Sequence, residues 1–181
     1  MLTIKQKSSF LFECLPSFQE GYLNVENGHK IYYEQYGNPN GKPILFLHGG
    51  PGAGFSNSHK GFFDPKIFRV IFFDQRGSGK SFPYAETDDN NTESLIADIE
   101  SLRNFLKINS WYLFGGSWGS TLALLYGIQF PKRCIGFILR GIFLGTIAEI
   151  NWFLYDIQKF FPEAYNKFIS HVPITHRKNV L

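Results

Sequence analysis

Trp111-Tyr112-Leu113-Phe114-Gly115-Gly116-Ser117-Trp118-Gly119-Ser120 is the stretch that decides the fold. It begins as a short apolar run, reads G-x-S-x-G through Gly115, Ser117 and Gly119, and leads into the helical pattern Thr121 to Phe130, which Pro131 stops. Short Gly/Ser strings arise often by chance, so the pattern gains its meaning from context. A strand before it and a helix after it make the setting of a nucleophile elbow. So sharp a turn forces the serine into an unusual backbone conformation, and the flanking positions must lack side chains to avoid collision. The hydroxyl is then held clear of the sheet beside a helix N-terminus, whose amides favour developing negative charge. The competing reading is a tight strand-to-helix turn in which Ser117 only caps the helix.

Working outward, two more apolar runs precede the elbow and one follows it. Pro43 to Leu47, Val70 to Phe73 and Ile135 to Leu139 are the continuous hydrophobic stretches expected of strands buried on both faces of a parallel sheet. Between the second run and the elbow, Leu95, Ile99, Leu102 and Leu106 recur at helical spacing with Glu93 in the first turn, which predicts an amphipathic helix over residues 93–107. Upstream, Tyr22 to Val25 and Ile31 to Tyr36 alternate, with Asn27-Gly28 between them as a hairpin turn. This rhythm predicts a doubly wound, mostly parallel α/β sheet opened by an antiparallel hairpin. Residues 147–181 are aromatic and helical in pattern and hold no further strand. Residues 1–146 are therefore expected to form a core and residues 147–181 to begin a separate helical part.

The second chemical signal is His48-Gly49-Gly50-Pro51-Gly52, directly after the first buried run. A loop this rich in glycine lets backbone N–H groups approach a substrate oxygen. With an elbow present, the expected oxyanion donors are the main-chain N–H groups of Gly50, or else Gly49, and Trp118. His48 lies before the serine in the chain and is expected to order this loop rather than act as a base. The spacing of Gly50, Gly52 and Gly54 does not give the dinucleotide pattern G-x-G-x-x-G. Gly79-Lys80-Ser81 mimics the end of a phosphate-binding loop, but Asp74 stands where that motif needs glycine, and Pro83 follows where a helix should open. Asp74 and Arg76 are expected to tie loops together, without a catalytic role.

Composition bounds the rest. The chain has 181 residues, 44% of them hydrophobic and 18% charged, which suits one globular core. A net charge of +3, with no Lys/Arg stripe, offers nothing for nucleic acid or an anionic membrane to bind. Lys5 and Lys7 before Phe10, Leu11 and Phe12 suggest a signal start, but Glu13 ends the apolar run too early for export. Apolar runs are strand-sized and too short to span a bilayer. Cys14 and Cys134 have neither metal-ligand nor redox spacing and are expected to be free thiols in a cytoplasmic protein.

Taken in order, Tyr32-Tyr33-Glu34, Gly37-Asn38-Pro39, His48 to Gly54, Asp74 to Ser81, Gly115 to Ser120 and Leu139-Arg140-Gly141 closely resemble the proline iminopeptidase (prolyl aminopeptidase) family of the α/β-hydrolase type. Phe161-Pro162-Glu163-Ala164 resembles the opening of that family's helical cap. The resemblance implies release of N-terminal proline from a peptide through an acyl-enzyme on Ser117, with no metal or organic cofactor.

A serine nucleophile needs a base, and the base an orienting acid, in the chain order Ser, Asp or Glu, His. After Ser117 the acids are Glu149, Asp156 and Glu163 and the histidines are His171 and His176. Asp156 followed by either histidine satisfies the order, but no strand pattern follows Leu139 to carry such a pair. The resemblance places the family's acid and base, and the acidic cap residues that grip the substrate amine, beyond Leu181. The triad acid and base are therefore expected to be missing from this chain, which would be inactive unless joined by a complementing C-terminal half. Two other readings stand beside this one: a non-catalytic truncated remnant, and a related esterase or acyl hydrolase. Relatives with a carboxylate at the elbow are disfavoured by Ser117 itself.

Overall fold

Asn27 and Gly28 both adopt positive φ, 59° and 77°, the backbone conformation that reverses a chain between twisted strands. They join β1 (Gln19–Asn24) to β2 (Lys30–Gly37) in an antiparallel pair with Tyr22 opposite Tyr32. The computed structural model describes residues 11–178 and 180; the stretch around Lys5, Lys7 and Phe10 lies outside the described residues, as does Leu181. The chain divides into two compact units, Met1–Ile142 and Phe143–Leu181.

The first unit continues with β3 (Lys42–Leu47), β4 (Phe68–Phe73), α1 (Thr92–Phe105), β5 (Trp111–Ser117), α2 (Trp118–Gln129) and β6 (Cys134–Ile142). The strands form one six-stranded sheet in the order β1-β2-β4-β3-β5-β6. β2 pairs antiparallel with β1 and β4, whereas β3 pairs parallel with β4 and β5, and β5 with β6. One face carries Ile31, Leu45, Leu47, Ile71 and Leu113, which pack beneath Ile99 and Leu102 of α1 and Leu122 and Tyr126 of α2. The other face is an aromatic layer in which Phe46, Phe72 and Phe114 meet Phe63 and Phe55.

Helix α1 begins where Asn91 accepts a hydrogen bond from the Ser94 N–H at 2.9 Å, an N-cap that satisfies one orphan donor. It ends just before Lys107, at φ 54°, two residues short of the predicted 93–107. Strand β1 lies earlier than the alternating stretch Tyr22 to Val25 suggests, because its polar start, Gln19 and Glu20, pairs with Gln35 and Glu34. One expectation is corrected. The run Ile135 to Leu139 does lie in a strand, but Ile135, Phe137 and Ile138 remain 48%, 43% and 45% exposed. Within the sheet β6 pairs only with β5 and occupies the edge, so among the described residues its far side has no neighbouring strand.

The second unit contains α3 (Ile147–Leu154) and α4 (Pro162–Ser170). Thr146 and Glu149 form a reciprocal capping box at the start of α3, and Pro162 opens α4 at a position where its missing N–H is not needed. Phe153, Leu154, Ile157, Phe161, Tyr165 and Phe168 line an apolar groove between these helices. Among the described residues no helix is long and apolar enough to cross a membrane.

Candidate active site

Ser117 ends β5 at φ 54° and ψ −125°, and α2 starts at the next residue. This is the strained backbone that the motif predicts, and the two outer glycines show why nothing larger is accommodated. A Cβ on Gly115 would fall 2.2 Å from the Gly119 carbonyl oxygen, and one on Gly119 would fall 2.1 Å from the Leu47 carbonyl oxygen. Both contacts are with backbone that cannot move aside. The Ser117 side chain makes no cap hydrogen bond to the helix, which removes the capping alternative, and the residue is exposed.

The glycine-rich loop leaves β3 and comes directly against the elbow. A Cβ built on Gly49 would lie 3.0 Å from the Gly116 carbonyl oxygen and 3.3 Å from the Ser117 Cβ. Gly50 takes φ 119°, a conformation essentially reserved for glycine. The loop and the first residue of α2, the two expected sources of oxyanion donors, thus flank the serine.

His48 is buried, and both ring nitrogens are committed. Nδ1 sits 2.9 Å from the Gly49 carbonyl oxygen, and Nε2 accepts the Gln75 backbone N–H at 3.0 Å. A carbonyl only accepts and an amide N–H only donates, so the proton resides on Nδ1. Burial pushes its pKa below the ordinary histidine value. A neutral, locked His48 orders the loop, as expected, and is not placed to act as a base.

Sequence reading missed Gln75. Its carboxamide nitrogen donates to the His48 carbonyl at 2.9 Å, and its carboxamide oxygen accepts the Trp118 indole N–H at 3.1 Å. The partners are 27 and 43 residues away along the chain, and the only local signal is its place between Asp74 and Arg76. Those neighbours tie loops together, as expected. Asp74 accepts the backbone N–H groups of Phe55 at 2.9 Å and Lys80 at 2.8 Å. Arg76 forms a bidentate pair with Asp98 of α1 at 2.7 and 2.9 Å. Gly79-Lys80-Ser81 belongs to this turn, and the next helix begins only at Thr92. Beside the elbow opens a cleft of about 530 Å³, lined in part by Pro51, Gly52, Gln75, Glu86, Glu93 and Trp118.

The candidate acid and base do not meet. Asp156 holds Lys159 at 2.8 Å, and His171 Nδ1 faces the Lys167 carbonyl at 2.7 Å. Among the described residues no hydrogen bond joins Asp156 to His171 or His176.

A parallel sheet delivering a serine to a sharp turn before a helix, with a glycine loop beside it, defines a class. Residues 42–179 match the family model described as the alpha/beta hydrolase fold, and the chain belongs to that family. Within it, the chain is similar to proline iminopeptidases. It is 49% identical over 172 residues to a probable proline iminopeptidase of Leptolyngbya boryana, covering 94% of this chain and 54% of that protein. It is 46% identical over 173 residues to the proline iminopeptidase of Neisseria gonorrhoeae, covering 94% and 56%. The chain therefore spans about half the length of these curated relatives. Among solved structures, a proline iminopeptidase-related protein of Thermus thermophilus aligns with TM-score 0.60 and 32% identity, over 67% of this chain and 43% of that one. A Vigna radiata epoxide hydrolase aligns with TM-score 0.63 at 19% identity, over 78% and 46%; this likeness concerns the fold alone.

Proposed function

We propose that this chain carries the acyl-transfer half of a serine hydrolase of the prolyl aminopeptidase type, releasing N-terminal proline from peptides. The observation that carries the proposal is the elbow: an exposed serine at φ 54°, with the glycine loop packed against it, in a chain 49% identical to a probable proline iminopeptidase. In the reaction the Ser117 hydroxyl oxygen attacks the prolyl carbonyl while a base takes its proton. The carbonyl electron pair moves onto oxygen, where the main-chain N–H groups of Gly50 and Trp118 receive it. Collapse breaks the C–N bond, the peptide leaves as an amine carrying the proton, and water then releases proline from the ester. Losing one oxyanion donor reduces such a reaction by about 10²–10³. No metal or organic cofactor is required at any step, and the free cysteines Cys14 and Cys134 are in keeping with a cytoplasmic setting.

The base and its orienting acid come, in this proposal, from a complementing C-terminal half. Without them turnover falls by roughly 10⁶. A second reading, a non-catalytic chain, is favoured by the separate engagements of Asp156 and His171.

Proline p-nitroanilide tests the proposal. The chain alone should release nitroaniline no faster than its Ser117→Ala variant, and addition of the C-terminal half of a proline iminopeptidase should restore turnover that Ser117→Ala abolishes. Turnover by the chain alone, lost in Ser117→Ala, would overturn the need for a second half. Failure of a fluorophosphonate to label Ser117 in the complemented protein would favour the non-catalytic reading.

A further inference from the structure

We propose that Gln75 is a positioning residue of the oxyanion hole: its carboxamide bridges the two segments that supply the oxyanion donors and holds them at a fixed separation. The inference rests on the hydrolase reading above for its purpose, but the bridge itself rests on geometry. One segment is His48 to Gly50, gripped twice: the Gln75 carboxamide donates to the His48 carbonyl at 2.9 Å, and the Gln75 backbone N–H donates to His48 Nε2 at 3.0 Å. The other is Trp118, gripped through its indole N–H at 3.1 Å.

The bridge has a defined polarity. The His48 carbonyl can only accept and the indole N–H can only donate, so the bridging group must present one donor and one acceptor on a single short planar unit. A carboxamide does this in one orientation only. Gln75, His48 and Ser78 are all nearly fully buried, where each unmet partner would cost about 1–3 kcal/mol. The bridge is also anchored from behind. Ser78 donates to the Gln75 carbonyl at 2.7 Å, and the adjacent Arg76 is locked to Asp98. Gln75 therefore sits on a rigid turn and adds a side-chain link between the His48 backbone and the Trp118 indole, across two segments that already meet where β3 pairs with β5. Such sites tolerate displacements of only about 0.5 Å before the donors miss the developing charge.

Substitution chemistry separates positioning from bulk packing. Gln75→Met keeps the size and loses both carboxamide bonds, while the backbone N–H bond to His48 Nε2 stays. Gln75→Glu has two chemistries. Protonated, its carboxylic acid offers one donor and one acceptor, like the amide; ionised, it offers only acceptors and faces the His48 carbonyl. The titratable and charged groups around it are His48, which burial keeps neutral, Arg76 with Asp98, Asp74, and Glu86 and Glu93 on the cleft wall.

The test is NMR on the full, isotopically labelled chain, following the Trp118 indole N–H and the backbone amides of Gly50 and Trp118. In Gln75→Met the indole proton should exchange at least ~10-fold faster, and both amides should shift, with circular dichroism unchanged. In Gln75→Glu the three signals should lie near their wild-type positions at low pH and depart together as the carboxyl ionises. Unmoved Gly50 and Trp118 amides in Gln75→Met would overturn the proposal. So would a Gln75→Glu variant that behaves like Gln75→Met at every pH, which decides the question even where Gln75→Met fails to fold. Fluorophosphonate labelling of the complemented protein should slow ~10–100-fold in Gln75→Met. Absence of labelling in the wild type would count against the hydrolase reading, while the NMR shifts would still decide whether the bridge exists.

Discussion

Strands β4 and β6 are both apolar runs in the same sheet, and they meet opposite fates. Val70, Ile71, Phe72 and Phe73 of β4 are fully buried, whereas Ile135, Phe137, Ile138 and Ile142 of β6 are about half exposed. Composition does not separate them; surroundings do. β4 has strands on both sides, two helices over one face and an aromatic layer over the other. β6 has β5 on one side; Cys134 and Leu139 reach the helix-covered core as partly buried contacts, and the Phe137 ring lies against Gly127 of α2 while staying half exposed. A continuous hydrophobic strand thus announces what it needs, and the rest of the molecule decides whether the need is met. The difference bears on function because Ser117 lies in β5, paired with Ile142 of the edge strand. In the proposed mechanism, a polypeptide docking on β6 would arrive one strand from the nucleophile.

Removing a ring from each strand sharpens the comparison most. Phe72 is fully buried and touches Phe46, Phe55 and Phe63, so Phe72→Ala should lower unfolding free energy by about 3–5 kcal/mol. Phe137 remains 43% exposed, and Phe137→Ala should cost about 1 kcal/mol. Urea unfolding of the two variants measures both. Equal losses would mean that β6 is covered in solution, and the comparison would break.

The parts of this molecule that were legible in sequence are those written in local pattern. The Asn27-Gly28 reversal, the amphipathic spacing of α1 and Gly115 of the elbow each depend on neighbours within a few residues. Gly115 is demanded by the Gly119 carbonyl oxygen of the turn itself, whereas Gly119 is demanded by the Leu47 carbonyl oxygen of β3, and its place in the motif made it legible all the same. What remained hidden depends on distant partners. Nothing near Gln75 reveals that its amide faces residues from two other segments. Likewise Glu34, in the strand-like Ile31 to Tyr36, gives no hint of its ion pair with Lys60 at 2.9 Å. The exposure of β6 is of the same kind, since no property of Ile138 records whether another strand stands beside it.

Glu34 supplies the intermediate effect, on the well-covered side of the sheet. Burial alone would raise its carboxyl pKa, but hydrogen bonds from Ser17, Lys60 and Tyr32 outweigh this and pull it from 4.5 down to about 2. A depressed carboxyl contributes stability that is fully present above pH 4.5 and is lost as pH falls toward about 2. The loss should be on the order of 2 kcal/mol. Glu34→Gln should be less stable at neutral pH and flatten the acid limb of a stability profile followed by circular dichroism. An unchanged acid limb would show that this network does not hold the β2 side together.

The smallest effect on folding is expected at the open edge. Ile138 is 45% exposed and lies opposite Phe114 in the β5–β6 register. Its neighbour strand satisfies one side of β6, and among the described residues no strand pairs with the other side, whose N–H and C=O groups are flanked by apolar side chains. That combination recruits further strands, and a lysine on such an edge opposes recruitment by requiring a charge to be desolvated at every new contact. Ile138→Lys should therefore change unfolding free energy by no more than about 0.5 kcal/mol, as for other exposed positions, while reducing concentration-dependent light scattering of the chain. In the proposed mechanism the same substitution should also weaken restoration of turnover by an added C-terminal half that docks on this edge. Full complementation by Ile138→Lys, with scattering abolished, would separate the two processes and place the docking of a second half elsewhere than on β6.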